Sequence, residues 1–242
     1  VPDKAKVSRL TLMIDGIRIH LLHGDDIQFG RWRNKEGGPS NDIVTRLFGW
    51  EGVDRKTLYE INSRISRCHG IFRRQMEQCF VRNEARFLHD DGRWQAPNKI
   101  FVDGREVPQK DQVKLELKQV TKITLASSQD DGERVFGWTA QLLPCELCNT
   151  KDCPMPGTCH KDTPSALVLQ RLDDVPEVFV VLWHYFPMRE LDPRLNKLRV
   201  RRYKDAFCYR AGGEVGWLTP GKTVPLPNGT KVKIEDYSQV NL

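Results

Sequence analysis

Short segments in which apolar and polar side chains alternate, each closed by an Asp-Gly or Asn-Gly pair, limit what this chain can fold into more than any other feature. Leu10-Thr11-Leu12-Met13-Ile14 and Ile17-Arg18-Ile19-His20-Leu21 flank Asp15-Gly16. Val113-Lys114-Leu115-Glu116-Leu117 follows Asp103-Gly104, and Lys231-Val232-Lys233-Ile234 follows Asn228-Gly229. A period of two puts alternate side chains on one face of a strand, and such turn pairs tolerate the left-handed backbone that reverses the chain between two strands. The expected fold is therefore all-β, a sandwich. One short helix is expected at Asp54–Ile61, where Asp54 can cap and Leu58 and Ile61 stand three apart.

The chain has 242 residues, of which 39% are hydrophobic and 29% charged. That balance supplies a packed core and excludes a disordered chain. No apolar run approaches the ~20 residues that span a bilayer as a helix. The longest, Val178–Trp183, has the length of a strand, and Val1-Pro2-Asp3-Lys4 carries no apolar signal core. The net charge of +6 favours anionic partners. Of the seven cysteines, four fall between Cys145 and Cys159. An odd count with one tight cluster argues against a disulfide framework and for a reducing, cytoplasmic setting.

Composition changes near residue 144, where a strand-like run gives way to a stretch rich in Cys, Pro, Asp, Thr and Gly. This divides the chain into a sandwich over 1–143, a Cys-rich junction over 144–164 and a β region over 165–242, read as a second small β domain in preference to an extension of the first sandwich. In that last region, strands are expected at Ala166–Leu172, Val178–Phe186, Leu198–Tyr203, Ala206–Arg210, Lys222–Leu226 and Thr230–Glu235. Trp183, Tyr185, Phe186, Trp217 and His184 are expected in its core.

Three separated segments of the first region carry a further pattern. They are Ile27-Gln28-Phe29-Gly30-Arg31, Ser66-Arg67-Cys68-His69, and Asn98-Lys99-Ile100-Phe101-Val102-Asp103-Gly104. In order and character they resemble the forkhead-associated (FHA) domain: Gly-Arg, then Ser-x-x-His, then Asn-Gly-Thr-x-Val-Asn-Gly. Asn41-Asp42-Ile43-Val44 resembles the family's short strand after Gly-Arg, and the resemblance spans roughly residues 8–143. It implies a phosphothreonine-binding module that acts in signalling through protein–protein contacts. A phosphothreonine presents three acceptor oxygens and nearly two negative charges. The Arg31 guanidinium can meet two of those oxygens. Ser66 can add a hydroxyl, and Arg67 charge or a backbone amide. Asn98, with Lys99 beside it, can hold the peptide main chain. Gly30 lets the ligand approach the backbone. By the resemblance, His69 is structural beneath the loop, and Gly104 closes the final turn.

The chain departs from the family at Asn98-Lys99-Ile100, which replaces Asn-Gly-Thr, and in the long Thr45–Arg64 segment with Trp50. Those departures leave open a second reading, a degenerate FHA domain that scaffolds unphosphorylated partners.

Cys145, Cys148, Cys153 and Cys159 form C-x2-C-x4-C-x5-C, with His160 directly after. Four thiolates make a closed tetrahedral set for structural Zn²⁺, with His160 as an alternative ligand. Paired disulfides and free thiols remain as other states of the same residues. No Gly-x-Ser-x-Gly elbow, P-loop or His-Glu-x-x-His helix is present, so no enzyme is expected. His23, Asp25 and Asp26 fall at a turn, where acidic residues are common. With only Lys151 and Lys161 inside the Cys cluster, nucleic acid is the least favoured partner.

Overall fold

The computed structural model of the chain describes residues 9–30, 42–44, 56, 65, 69–83, 87–88, 94–95, 99–125, 136–147, 162–173 and 175–237. The fold is all-β. Its strands are β1 (Arg9–Ile14), β2 (Ile17–Leu22), β3 (Asp26–Gly30), β4 (Ile43–Val44), β5 (Gly70–Gln75), β6 (Gln78–Arg82), β7 (Phe87–Leu88), β8 (Trp94–Gln95), β9 (Ile100–Val102), β10 (Arg105–Val107) and β11 (Gln112–Leu115). They continue with β12 (Val120–Leu125), β13 (Phe136–Pro144), β14 (Pro164–Arg171), β15 (Glu177–Leu182), β16 (Tyr185–Pro187), β17 (Leu198–Tyr203), β18 (Ala206–Ala211), β19 (Glu214–Trp217), β20 (Thr223–Pro225) and β21 (Lys231–Asp236). The Asp-Gly pairs do what their chemistry allows. Asp15 and Gly16 have φ of 43° and 85°, Asp103 and Gly104 of 48° and 77°, the left-handed backbone of a two-residue hairpin turn.

A ten-stranded sheet runs in the order β10-β9-β12-β13-β14-β15-β2-β1-β21-β20. One of its faces packs on a five-stranded sheet, β11-β6-β5-β3-β4; its other face packs on a four-stranded sheet, β16-β17-β18-β19. The strand period sorts the side chains between the two cores. Leu167, Leu169, Phe179 and Val181 face the first core, with Phe29, Phe72 and Trp138. Ala166, Val168, Val180 and Leu182 face the second, with Phe186, Val200 and Phe207. β14 and β15 are thus covered on both sides, which explains why these two strands read as unbroken apolar runs. Each fully buried Val, Leu or Phe contributes about 1.5–3 kcal/mol, so both cores are held largely by this shared middle layer.

Two expectations are corrected by this topology. The boundary at 144–164 does not separate a second domain. β14 pairs with β13 from Trp138↔Arg171 to Pro144↔Pro164, β15 lies parallel to β2, and β21 pairs with β1. The region 165–242 therefore supplies interior strands of the sheet that the region 1–143 begins, and neither set of strands is complete without the other. The Cys-rich stretch connects two adjacent strands, its ends drawn together where the Cys145 N–H donates to the Thr163 carbonyl at 3.3 Å. Second, Val178–Phe186 is two strands. The chain leaves the large sheet at Trp183 and His184, whose N–H groups both donate to the Ser165 carbonyl, and enters the four-stranded sheet at Tyr185.

Trp183, Tyr185, Phe186 and His184 are buried, as expected, but Trp217 is only half-buried, edge-on to Tyr203. β19 was not anticipated. Of the expected helix only Lys56 is described, in helical conformation; the rest of Asp54–Ile61 lies outside the described residues, as does Trp50.

Candidate functional site

The three motif segments begin or end on strands, and those strand ends meet. β3 ends at Gly30; His69 and Lys99 are the residues before β5 and β9. The His69 N–H donates to the Phe29 carbonyl at 2.8 Å, and its ring Nε2–H donates to the Lys99 carbonyl at 3.0 Å. The Phe29 and His69 rings stack with centroids 6.3 Å apart. Gly70 lets the segments close: a Cβ there would lie 2.5 Å from Phe29 Cζ, 2.8 Å from Ile100 Cδ1 and 2.9 Å from the Arg82 carbonyl oxygen, so even alanine would displace its neighbours. Ile65, just before Ser66, is buried in the same core.

His69 is wholly buried, and burial pushes its pKa down to about 4, with the Lys99 carbonyl opposing that shift. At neutral pH it is an uncharged imidazole whose donor nitrogen ties one segment to another.

β4 is the next wall. It runs parallel to β3, with Phe29↔Ile43 and Gly30↔Val44 paired. Asp42 fixes it there: its carboxylate accepts the Gln28 N–H at 2.8 Å and ion-pairs with Arg9, and its own N–H donates to the Gln28 carbonyl. Burial raises the Asp42 pKa, while Arg9 and the Gln28 amide oppose the rise. Tyr237, at the end of the last strand, donates its hydroxyl to the Asp42 carbonyl at 2.6 Å. Arg9, Asp42 and Tyr237 are support residues that sequence reasoning missed. Only Asp42 carried a signal, in the short segment after Gly-Arg; Tyr237 lies 195 positions from its partner.

Among the candidate ligand-binding residues, Gly30 and Lys99 are placed at this junction, while Arg31, Ser66, Arg67 and Asn98 lie outside the described residues. The Lys99 ammonium is turned to Glu106, 2.8 Å away on β10. Both ends of that pair are half-exposed, so it is worth at most about 1 kcal/mol and releases readily. Gly104 sits at the opposite end of β9 from Lys99, in the turn to β10, where Asp103 accepts the Lys122 N–H. Its positive φ serves that hairpin and not the junction.

Of the proposed metal ligands, Cys145 is buried; Cys148, Cys153, Cys159 and His160 lie outside the described residues. Among the described residues no group of three or more His, Cys, Asp or Glu is placed to hold a metal ion. Cys79 and Cys208 are free thiols. Burial drives the Cys79 thiol up to about 12, which makes it inert.

No family model, no curated protein and no solved structure matches the chain.

Proposed function

We propose that the chain is a phosphothreonine-binding module of the FHA type, a protein–protein adaptor and not an enzyme, working inside the cell. The observation that carries this reading is His69, whose backbone and ring bind the ends of the two neighbouring segments at once. The described residues that adjoin Arg31, Ser66 with Arg67, and Asn98 in the sequence are thereby held together. Loops on a stiff β scaffold are where binding groups are placed with precision. Arg31 and Ser66 then hold the phosphate, Arg67 adds charge, and Asn98 with Lys99 sets the peptide register. Among the described residues no helix is long and apolar enough to cross a membrane.

The test is fluorescence polarisation against a phosphothreonine peptide library and its unphosphorylated twin. Charge-assisted hydrogen bonds are worth about 1.5–3 kcal/mol each, so Arg31→Ala and Ser66→Ala are each expected to weaken binding about 10- to 100-fold with unchanged melting. Equal affinity for the unphosphorylated twin would replace this reading with the phosphate-independent scaffold.

The same reading places a structural Zn²⁺ on Cys145, Cys148, Cys153 and Cys159, with His160 as the alternative ligand. Because β13 and β14 pin residues 144 and 164 side by side, a metal there would close the connection between two neighbouring strands. Metal analysis is expected to find one zinc per chain, and chelation to release four titratable thiols and lower the melting temperature. A metal-free preparation with unchanged melting would remove zinc from the account.

A further inference from the structure

The outward face of the four-stranded sheet has no part in the phosphothreonine site, yet most of the molecule's excess charge is concentrated around it. Residues 185–222 hold nine Lys or Arg against four Asp or Glu, so +5 of the chain's +6 falls in this segment. Strand alternation decides where the cations point. On β17, Leu198 and Val200 enter the core, while Arg199, Arg201 and Tyr203 face out. On β18, Phe207 and Tyr209 enter the core, while Cys208 and Arg210 face out.

Register then assembles a surface. Arg199 stands opposite Arg210, which stands opposite Val215. In the adjoining row Tyr185, Arg201, Cys208 and Trp217 are successive cross-strand neighbours. All of these except Trp217, with Tyr209 and Leu147, line a shallow concavity of about 180 Å³.

Arg199, Arg201 and Arg210 are all exposed, and none has a carboxylate within ion-pair distance among the described residues. Arginines on the flanking turns behave differently: Arg189 pairs with Glu146 and Glu190, and Arg194 with Asp15 and Asp192. The one acidic side chain at the β18–β19 end, Glu214, accepts the Tyr209 hydroxyl at 2.7 Å. Three unpaired guanidiniums on one small face repel one another and leave an anion-sized demand unfilled.

Spacing and neighbours identify the anion. Directly opposed cross-strand residues stand about 5 Å apart at Cβ, and residues two apart on a strand about 6.6 Å. One phosphate would have to draw these groups together, whereas a chain of phosphates meets all three at their own spacing. Along the same face Tyr203 is 43% exposed, braced edge-on by Trp217 with ring centroids 5.9 Å apart, and Lys204 lies 6.0 Å over the Tyr203 ring. An aromatic face beside a cationic track is the arrangement on which unstacked bases lie. We infer that the outward face of the β16–β19 sheet binds single-stranded nucleic acid, with Arg199, Arg201 and Arg210 on successive phosphates and Tyr203 under a base. This reverses the low weight that nucleic acid had from the Cys-rich stretch: the cations that matter lie 40 to 60 residues further on and become neighbours only through sheet register.

The experiment is fluorescence anisotropy of the full chain with a labelled 12-nucleotide oligo-U RNA, an oligo-dT of the same length, a 12-base-pair duplex and a phosphothreonine peptide. Both single strands are expected to bind at least tenfold more tightly than the duplex; the ratio between them reports whether RNA or DNA is preferred. Three phosphate contacts predict a slope of log K against log salt near −2. The combined Arg199→Ala, Arg201→Ala, Arg210→Ala variant is expected to lose at least tenfold in affinity and most of that slope, with unchanged melting. Tyr203→Ala should lose about tenfold while keeping the slope. Unchanged affinity in the triple variant, equal binding of the duplex, or displacement of the oligonucleotide by the phosphothreonine peptide would overturn the assignment. Loss of phosphopeptide binding in Arg31→Ala, with oligonucleotide binding intact, is expected if the two sites are separate.

Discussion

Lowering the pH from 7 to 4 is expected to cost the fold about 3 kcal/mol through His69 alone. The imidazole titrates at 6.5 when exposed and at about 4 in its buried position beneath the Lys99 carbonyl. Between those values the unfolded chain holds a proton that the folded chain refuses, so stability rises with pH across that window. The contribution is complete above pH 6.5 and shrinks by about 1.4 kcal/mol per unit as pH falls, until the folded imidazole also protonates near 4. His184 acts in the same direction: burial and the nearby Arg74 and Arg202 push its pKa down to about 4, and it accepts a hydrogen bond from Arg74 at 3.2 Å. The measurement is urea unfolding at pH 7, 5.5 and 4 for the native chain and His69→Gln, whose amide can keep the donor to Lys99 without a titrating group. A flatter pH dependence in the variant is expected. Identical slopes would mean that His69 is not the group that couples acid to the candidate site.

Glu177→Ala is expected to destabilise the protein by about 3–5 kcal/mol, read as a fall in the urea midpoint at constant slope. Glu177 lies at the start of β15, buried where that strand runs parallel to β2. His20 Nε2–H donates to its Oε1 at 2.9 Å, and Arg171 donates to its Oε2 at 2.8 Å. On the far side of the His20 ring, Nδ1 is 2.9 Å from Thr11 Oγ1, and Arg171 also grips Asp173. Burial alone would raise the Glu177 pKa; the His20 and Arg171 hydrogen bonds and charges overcome it and hold the carboxyl down at about 2. Its contribution is therefore present above pH 4.5 and disappears as pH falls toward 2, below the window in which His69 acts. Truncation to alanine leaves an imidazole N–H and part of a guanidinium buried without a partner, which is where the large cost arises. Glu177→Gln, which keeps an acceptor oxygen, is expected to cost less than half as much. A loss below 1 kcal/mol for the alanine variant would mean that solvent reaches the seam between β2 and β15.

That seam shows why the organisation of the chain was misread from its sequence while its class was not. All-β character is a local property. Alternation in Leu10–Ile14 or Lys231–Ile234 and an Asp15-Gly16 turn are complete within a dozen residues, because side-chain period and left-handed backbone need no distant partner. The composition break at residue 144 was equally local, and it marked a long connection between two neighbours of one sheet, not a domain boundary. Nothing in a sequence states that residues 177–181 lie parallel to residues 18–22; only the packed sheet decides it. One clue was present. Val178–Leu182 is apolar on every residue, which a strand with one wet face would not be, and the second covering sheet explains it.

The candidate site divides along the same line. The segments around Gly30, His69 and Lys99 were legible because Gly, His and the turn residues beside them are visible one at a time. Its bracing was not. Asp42 is held by Arg9 and Tyr237, residues drawn from opposite ends of the chain, and burial, against the Lys99 carbonyl, sets the protonation of His69. The outward face of β16–β19 is the extreme case. Arg199, Arg201 and Arg210 are ordinary exposed cations in sequence, and register sets them together beside Tyr203. By itself the sequence determined strands, turns and the kinds of group available to bind an anion, since these follow from each residue and its near neighbours. Which strands share a sheet, which face is buried twice and which charges gather on one surface were decided only by tertiary structure, because hydrogen-bonded pairing and burial act between residues that the chain keeps far apart.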